Sequence, residues 1–367
     1  MQARRADPCY RVPTSERTRP MSIQNPLAAR RPIAGPMAWG GTDFARRDDW
    51  ILRLSEGHIA ELENAARAIV ARGLSFRDIA AAEFPLPGLG PMLAALRPEL
   101  RTGRGFVLVK GLSVERFAPA LLRTIYIGMG AHLGVPVSQS HRGDYLGEVK
   151  DYREPGNERP YRRGGAIEMH RDPCDIVGLL CYRKARAGGL SRIASAATVW
   201  NTVLAERPDL VAVLLHGFRL YATREDRDAA PPLTPVKIPV LTCDPDGPLH
   251  CTLIAELAQW AVEKAGEPWP ERGPEALAFF QEVANRAGVF LDMAIEPGDI
   301  QFLNNRTTVH GRTDYEEWPE PERQRVMFRL WLMCPDWPQP ATAVNRLLFA
   351  NIDRADGGIA PRMATAA

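Results

Sequence analysis

Hydrophobic spacing divides the chain into a largely helical first part and a mostly stranded second part. In "SEGHIAELENAARAIVARG" the apolar residues recur at helical spacing, and Ser55 and Gly73 supply a cap and a stop, so a helix is predicted. The same reasoning predicts helices in "GPMLAALRPEL", "SVERFAPALLRTIYIGMGAHLG", "GPEALAFFQEVANRAG" and, as a pair, "SAATVWNTVLAERPDLVAVLLHG".

Compact apolar runs between turn residues predict the strands. They are "GRGFVLVKGL", "IVGLLC", "VKIPVLTC", "PLHCTLI", "DIQFLNN" and "RQRVMFRLWLMC". Many short strands, with helices gathered before and between them, predict a mainly β protein of the α+β class, a barrel or jelly roll with flanking helices.

A long polar stretch, residues 138–165, separates the two parts and has little periodic pattern. Long irregular segments inside compact domains are often lids or binding loops, so we expect a substrate lid, with a plain surface loop as the alternative. Gln139, His141 and Tyr145 lie near its start and are candidate substrate contacts.

Composition and charge narrow the class of protein. The 46 basic and 44 acidic residues give a net charge of +2, so there is no electrostatic case for nucleic acid or a membrane surface. No apolar run is long enough to span a bilayer, and the first residues lack the apolar core of a secretory signal. The six scattered cysteines favour reduced thiols, and we expect a cytoplasmic protein that binds a small molecule; homo-oligomerisation stays open.

A histidine and an aspartate stand two positions apart before the run "IVGLLC", in "EMHRDPCD". Residues i and i+2 of a strand point the same way, so His170 and Asp172 share a face if the strand begins there. A third ligand must come from elsewhere, and His310 in "NNRTTVHGR", after an apolar strand, is the best candidate. Two histidines and one carboxylate are the facial triad of non-haem Fe(II) oxygenases.

The same residues allow other assignments. The His170–Asp172 pair could be a surface ion pair, and His216 or His250 could replace His310 as the third ligand. Cys174 and Cys181 could be thiolate ligands, although they are better explained as small buried hydrophobic residues.

The last predicted strand carries two arginines on one face. Arg325 and Arg329 alternate with Met327 and Trp331, while the residues of the opposite face are all apolar. Both faces are therefore expected to be covered, and a buried guanidinium is costly unless it meets an anion. Because the strand offers no acidic partner, the pattern predicts a pocket for a small carboxylic acid.

The order of these parts resembles the TauD/TfdA family of Fe(II)- and 2-oxoglutarate-dependent dioxygenases. The matching segments are "HRD", "GGLS", "PGDIQFLNNRTTVH" and "PERQRVMFRLWL", within residues 103–335. The resemblance implies a double-stranded β-helix (jelly-roll) core, and Fe(II), 2-oxoglutarate and O₂ as cofactor and cosubstrates. It implies that His170, Asp172 and His310 hold the iron.

The resemblance also assigns the cosubstrate pocket. It implies that Arg325 clamps the distal carboxylate of 2-oxoglutarate, with Ser191 of "GGLS" beside it. It implies that Arg329 meets either the inner end of the cosubstrate or an acidic group of the substrate. Trp331 is a further candidate substrate contact, unless it fills the barrel.

The predicted organisation has four parts. Residues 1–40 form a basic tail that we expect to be disordered, and residues 41–102 a helical jacket. Residues 103–337 form the catalytic jelly roll with its helical insert and lid, and residues 338–367 a C-terminal tail.

The expected reaction is hydroxylation of an unactivated C–H bond in a small carboxylate- or amine-bearing molecule, with release of succinate and CO₂. One alternative keeps the site but performs desaturation, cyclisation or C–N bond formation. Another, of a different class, is a non-catalytic ligand-binding barrel.

Overall fold

Fifteen strands and seven helices make up the part of the chain that the computed structural model describes, residues 31–153, 160–222, 232–243, 249–338 and 357–360. The strands are β1 (Ile51–Arg53), β2 (Phe106–Lys110), β3 (Val135–Val137), β4 (Leu146–Val149), β5 (Ile167–His170), β6 (Ile176–Arg183), β7 (Ala187–Gly188), β8 (Ser191–Ser195), β9 (Leu241–Cys243), β10 (Leu249–Cys251), β11 (Phe290–Met293), β12 (Ile300–Asn304), β13 (Thr308–Arg312), β14 (Tyr315–Glu316) and β15 (Val326–Met333). The helices are α1 (Glu56–Ala71), α2 (Leu89–Arg101), α3 (Pro119–Ala131), α4 (Ala196–Glu206), α5 (Pro208–His216), α6 (Ala255–Ala265) and α7 (Gly273–Ala284).

Two sheets form the centre of the fold. The larger has the order β1-β2-β12-β6-β15-β3, with β4 also paired to β15, and the smaller has the order β11-β8-β13-β5. All pairs are antiparallel except β1 with β2. Neighbouring strands are mostly distant in sequence, which is the connectivity expected of a jelly roll.

One layer of helices covers the larger sheet. Helices α1, α2 and α3 share a buried core with one face of β15, including Phe328, Leu330 and Leu332. A Cβ added at Gly130 of α3 would lie 2.4 Å from the Leu330 side chain, so glycine is needed where this helix meets the strand. The opposite face of β15, which carries Arg329 and follows directly on Arg325, is therefore turned toward the interior of the barrel.

A second layer of helices covers the smaller sheet. Helices α4, α5 and α7 contribute Val199, Leu210 and Phe280 to a core that also holds Ile193 of β8 and Val309 of β13. Serines cap two of the helices: Ser55, as predicted, accepts from the His58 N–H at 3.2 Å, and Ser195 accepts from the Thr198 N–H at 3.1 Å.

Several elements differ from the sequence prediction, and two of them line or flank the candidate site. Within residues 138–165, predicted to be irregular, β4 pairs with β15, and residues 154–159 lie outside the described part. Helix α6 was not predicted, because its buried face consists of small residues, Ala258 and Ala261, and gives a weak hydrophobic pattern.

No helix among the described residues is long and apolar enough to cross a membrane. Four cysteines, Cys174, Cys181, Cys251 and Cys334, are buried as free thiols.

Candidate metal centre

The two histidines of the centre lie opposite each other on neighbouring strands of the smaller sheet. His170 ends β5, and it is the direct cross-strand partner of His310 in β13. Their ring centroids are 4.4 Å apart, as expected for side chains on the same face of an antiparallel pair. His310 thus lies inside a strand, not beyond its end as the sequence suggested.

Asp172 reaches the same place from a turn. The predicted strand does not begin at His170; β5 ends there, and the apolar run forms β6 in the other sheet. The turn between them is held by Asn305, whose side-chain amide donates to the carbonyls of Asp172 and Cys174. This arrangement brings the Asp172 carboxylate close to the two histidines. The three side chains therefore lie together as predicted, but through a turn and not through the alternation of one strand.

The three candidate ligands form one compact cluster. One side-chain donor atom from each of His170, Asp172 and His310 can be chosen so that all lie within 4.8 Å of one another. The His310 Nε2 atom is 3.8 Å from the Asp172 Oδ2 atom. The Nδ1 atom of His170 lies 2.9 Å from the Glu168 carbonyl, which leaves Nε2 as the nitrogen available to a metal.

Charge favours a metal-binding protonation state. Burial alone would raise the pKa of Asp172, but Arg329 and the two histidines outweigh it and the pKa is lowered. Burial lowers the pKa of His310 to about 3, with His170 adding to the effect, so its imidazole is neutral near pH 7. An ionised carboxylate and a neutral imidazole are the forms that bind metals.

Arg329 is fixed against this cluster. Its Nη1 atom donates to Asp172 Oδ1 at 3.0 Å, and its Nε atom donates to Gln139 Oε1 at 2.9 Å. The Gln139 amide nitrogen in turn donates to the carbonyls of Arg329 and Tyr145, at 2.8 and 3.0 Å. The guanidinium also lies 4.9 Å from the ring centroid of Trp331. Gln139 therefore fixes the position of Arg329, and Arg329 in turn fixes the carboxylate of Asp172.

A cavity of about 220 Å³ leads from the cluster toward Arg325. Arg325 is 6% exposed, and its Nη1 atom has no hydrogen-bond partner among the described residues. Burial lowers the pKa of Arg325, and no carboxylate among the described residues forms an ion pair with its guanidinium.

The same cavity is lined by a second arginine that sequence reasoning missed. Arg312 donates through Nε to the Gly165 carbonyl at 2.9 Å, while its Nη1 atom has no partner among the described residues. Burial lowers its pKa to about 10, and Arg325 adds to the shift. The signal was present in "VHGR": Arg312 stands two positions after His310 on one strand, and so shares its face.

Ser191 lines this cavity but already has a partner. Its hydroxyl donates to the Oε1 atom of Gln301 at 2.9 Å, and the Gln301 amide nitrogen contacts the Met293 sulfur. A carboxylate beside Ser191 would have to compete with Gln301 for that hydrogen.

A larger cavity of about 1030 Å³ opens on another side of the cluster. Of the candidate substrate residues, Gln139, Arg329 and Trp331 line it. His141 and Tyr145 line neither cavity; Tyr145 packs on the helical side of the larger sheet. Helix α6 forms much of the wall of the larger cavity. The sequence prediction did not include this helix and therefore did not include its lining residues.

The sequence profile of one family, "Taurine catabolism dioxygenase TauD, TfdA family", matches residues 71–331. The chain belongs to this family. As a TauD/TfdA member it is a dioxygenase and hence an oxidoreductase, which confirms the reaction class implied by the resemblance.

Two curated proteins are similar to this TauD/TfdA chain over most of its length. FR-33289 synthase of Streptomyces rubellomurinus is 29% identical over 323 residues, which cover 86% of this chain and 94% of the relative. The taurine hydroxylase-like protein SAT17 of Stachybotrys chartarum is 28% identical over 309 residues, or 80% and 78% of the two chains.

Solved structures confirm the predicted fold. Asparagine oxygenase with Fe(II), (2S,3S)-3-hydroxyasparagine and succinate has a TM-score of 0.62 at 18% identity, covering 85% of this chain and all of the other. The non-haem iron oxygenase OrfP with Fe, succinate and (3S)-hydroxy-L-Arg has a TM-score of 0.61 at 14% identity, covering 84% and 99%.

The residues of this family member fit a bound Fe(II). Two imidazole nitrogens and one carboxylate are a ligand set that suits Fe(II) and leaves coordination positions open. The buried Asp172 Oδ2 atom has no hydrogen-bond partner among the described residues, and coordination to a metal would satisfy it. The anion that Arg325 and Arg312 lack fits a carboxylate of 2-oxoglutarate.

Proposed function

We propose that this chain is an Fe(II)- and 2-oxoglutarate-dependent hydroxylase in which His170, Asp172 and His310 hold the iron. The observation that carries the proposal is their compact cluster at the junction of two cavities, one of which contains buried, uncompensated arginines. When bound, Fe(II) and 2-oxoglutarate supply the oxidation of a C–H bond by O₂, with succinate and CO₂ as products.

Arg325 binds the distal carboxylate of 2-oxoglutarate in this proposal. Its planar fork suits a carboxylate, and burial excludes the water that would otherwise weaken the contact. Arg312 supplies a second positive charge in the same cavity, and Ser191 can add a weaker hydrogen bond. A 2-oxoglutarate molecule held at its far end presents its other end to the candidate iron ligands.

Arg329 orients the centre. By donating to one oxygen of Asp172 it leaves the other oxygen directed to the metal. The Arg329 guanidinium lies 4.7 Å from the ring centroid of Tyr161 and 4.9 Å from that of Trp331, so these two rings restrict its orientation. Its remaining donors face the larger cavity, where they can bind an acidic group of the substrate, or they meet the inner end of 2-oxoglutarate.

The substrate is a small carboxylate- or amine-bearing molecule. The hydroxylated amino acids bound by asparagine oxygenase and OrfP carry both groups, and these proteins share the fold of this chain. The position of Arg329 at the edge of the larger cavity supports an acidic group on the substrate.

Residues 138–165 act as a substrate lid in this proposal. Tyr161 and Arg163 line the larger cavity, and Arg163 approaches Glu256 of α6 at 3.4 Å. Arg312 donates hydrogen bonds to the carbonyls of Arg163 and Gly165 at the end of this stretch.

The proposal also includes the division of the chain into a tail, a helical jacket and a jelly-roll domain, and a cytoplasmic location.

The test is turnover by the purified protein with Fe(II), 2-oxoglutarate, O₂ and a panel of amino acids and organic acids. We expect iron-dependent succinate formation that rises with the right substrate, and a product heavier by one oxygen atom. Asp172→Ala should abolish both, while Asp48→Ala, which removes an exposed carboxylate, should keep both. Succinate formation that is the same in Asp172→Ala as in the unchanged protein contradicts the proposal.

A further inference from the structure

The larger cavity extends far beyond the metal centre. The chain enters α6 beside the candidate ligands, because the Arg171 N–H donates to the Leu253 carbonyl at 2.9 Å. From there α6 lines the cavity from Ala255 to Lys264. At 1.5 Å per residue these positions span roughly 14 Å along the helix axis.

Helix α7 forms a second wall that runs back toward the centre. Near its end, the Gln281 amide nitrogen donates to the Met169 carbonyl in β5 at 2.7 Å. Pro274, Leu277, Ala278 and Gln281 line the cavity with helical spacing, so one face of α7 follows it for roughly 10 Å. The cavity is thus a groove lined by α6 and α7, and it begins at the candidate metal ligands.

Aromatic side chains surround the far end of the groove. Trp269, in the connection between α6 and α7, packs edge to face on Phe218 with ring centroids 6.0 Å apart. Trp260 lines the same region, and the Lys264 ammonium lies 4.0 Å from its ring centroid. Lys264 is exposed, as are the lining residues Gln259 and Ala278, so the groove is open to solvent along the two helices.

We propose that this groove selects an elongated substrate whose apolar body lies along α6 and α7, while its carboxylate stays near Arg329. A short amino acid such as asparagine spans roughly 6 Å from its bond lengths, less than half of the groove. A cavity of about 1030 Å³ suits a much larger ligand, since pockets for drug-sized molecules measure about 300–1,000 Å³. Leu257, Trp260, Trp269 and Leu277 offer such a ligand apolar contact. The inference rests on the proposed function and specifies its substrate class.

The test uses straight-chain carboxylates of increasing length. Hexanoate, octanoate and decanoate are titrated by calorimetry into the Fe(II)/2-oxoglutarate complex without O₂. We expect affinity to rise about fourfold per methylene group, the equivalent of about 0.8 kcal/mol, until the groove is filled.

A variant that fills the groove makes the test specific. Ala278 is an exposed residue of α7 that lines the groove, so Ala278→Phe adds bulk without disturbing the core. We expect it to weaken decanoate binding by more than about tenfold, the equivalent of two lost methylene contacts, and to leave hexanoate within about twofold. The matched control is Ala205→Phe, at an exposed position of α4 that does not line the groove.

Two results would overturn the inference: affinity that does not change with chain length, or an Ala278→Phe variant that binds all three acids like the Ala205→Phe control. Calorimetric binding of 2-oxoglutarate itself is measured in the same samples. If 2-oxoglutarate binds and the length series is flat, the substrate class is wrong while the proposed function stands. If 2-oxoglutarate fails to bind, the proposed function is wrong.

Discussion

Replacement of Arg325 tests the cosubstrate pocket, and the structure indicates how much binding free energy of 2-oxoglutarate should be lost. Arg325→Gln keeps a polar side chain but shortens it and removes the charge and the planar fork. The guanidinium is 6% exposed, so its contact with a carboxylate is largely shielded from water. Loss of one partner of a buried charge pair typically costs about 2–5 kcal/mol of binding free energy.

The lower part of that range is expected here. Arg312 remains in the same cavity and still offers positive charge to the carboxylate. We therefore expect about 2–3.5 kcal/mol, which weakens 2-oxoglutarate binding by roughly 30- to 300-fold. The turnover number should change less, since a contact at the far end of the cosubstrate acts on the bound and the reacting state alike.

The assay compares the KM for 2-oxoglutarate from succinate formation with the Kd from calorimetry without O₂. Arg323→Gln is the matched control, because Arg323 is exposed, lies two residues earlier and stacks on Trp318 outside the cavity. It should leave both constants within about twofold. The Arg325→Gln protein should melt no earlier without 2-oxoglutarate, since a buried uncompensated charge does not stabilise the fold.

An unchanged KM and Kd in Arg325→Gln would refute this reasoning. If Arg312→Gln gave the large effect instead, the distal carboxylate would belong to Arg312, and the assignment carried over from the family would be wrong for this chain.

Three further predictions concern neighbouring groups. Ser191→Ala should raise the KM for 2-oxoglutarate by at most about tenfold, because one neutral hydroxyl contributes about 0.5–1.5 kcal/mol and this one is shared with Gln301; an effect equal to that of Arg325→Gln would contradict the structure. Gln139→Leu should lower the free energy of unfolding by about 2–4 kcal/mol in urea denaturation, because it removes the hydrogen bonds of Gln139 to Arg329 Nε and to the carbonyls of Arg329 and Tyr145; unchanged stability would mean that the chain relaxes around the lost side chain. Burial, with Arg306 adding to it, lowers the pKa of His250 to about 3, so below about pH 6.5 the unfolded chain takes up a proton that the folded chain does not, and the free energy of unfolding falls as the pH falls. His250→Leu should therefore reduce the slope of the free energy of unfolding against pH by about 1.4 kcal/mol per pH unit between pH 3.5 and 6. An unchanged slope would show that His250 does not titrate on unfolding.

The alternation within β15 made its two faces predictable from sequence. Apolar residues such as Phe328 and Leu330 fill every second position, so Arg325 and Arg329 had to share the other face. In the structure both arginines line the smaller cavity beside the candidate metal ligands, and Arg329 also lines the larger cavity. Side chains alternate between the two faces of a strand whichever strands pair with it, so this prediction did not require knowledge of the fold.

The partners of each strand could not be read in the same way. His310 was expected beyond a strand and His170 at the start of one, because the pairing of β5 with β13 joins segments about 140 residues apart. Helix α6 was missed because alanines form its buried face, and with it the substrate groove was missed. Local pattern carries little information about either long-range pairing or a helix packed through small side chains.

The iron centre is tested most directly by the visible spectrum of the protein with Fe(II) and 2-oxoglutarate in the absence of O₂. If His170, Asp172 and His310 hold Fe(II) beside the 2-oxoglutarate pocket, a charge-transfer band should appear when both are added and be absent when either is left out. Asp172→Ala should lose the band while keeping the folded-state circular dichroism of the unchanged protein. A band of full intensity in Asp172→Ala, or no band in the unchanged protein at saturating Fe(II) and 2-oxoglutarate, would contradict the assignment of this centre.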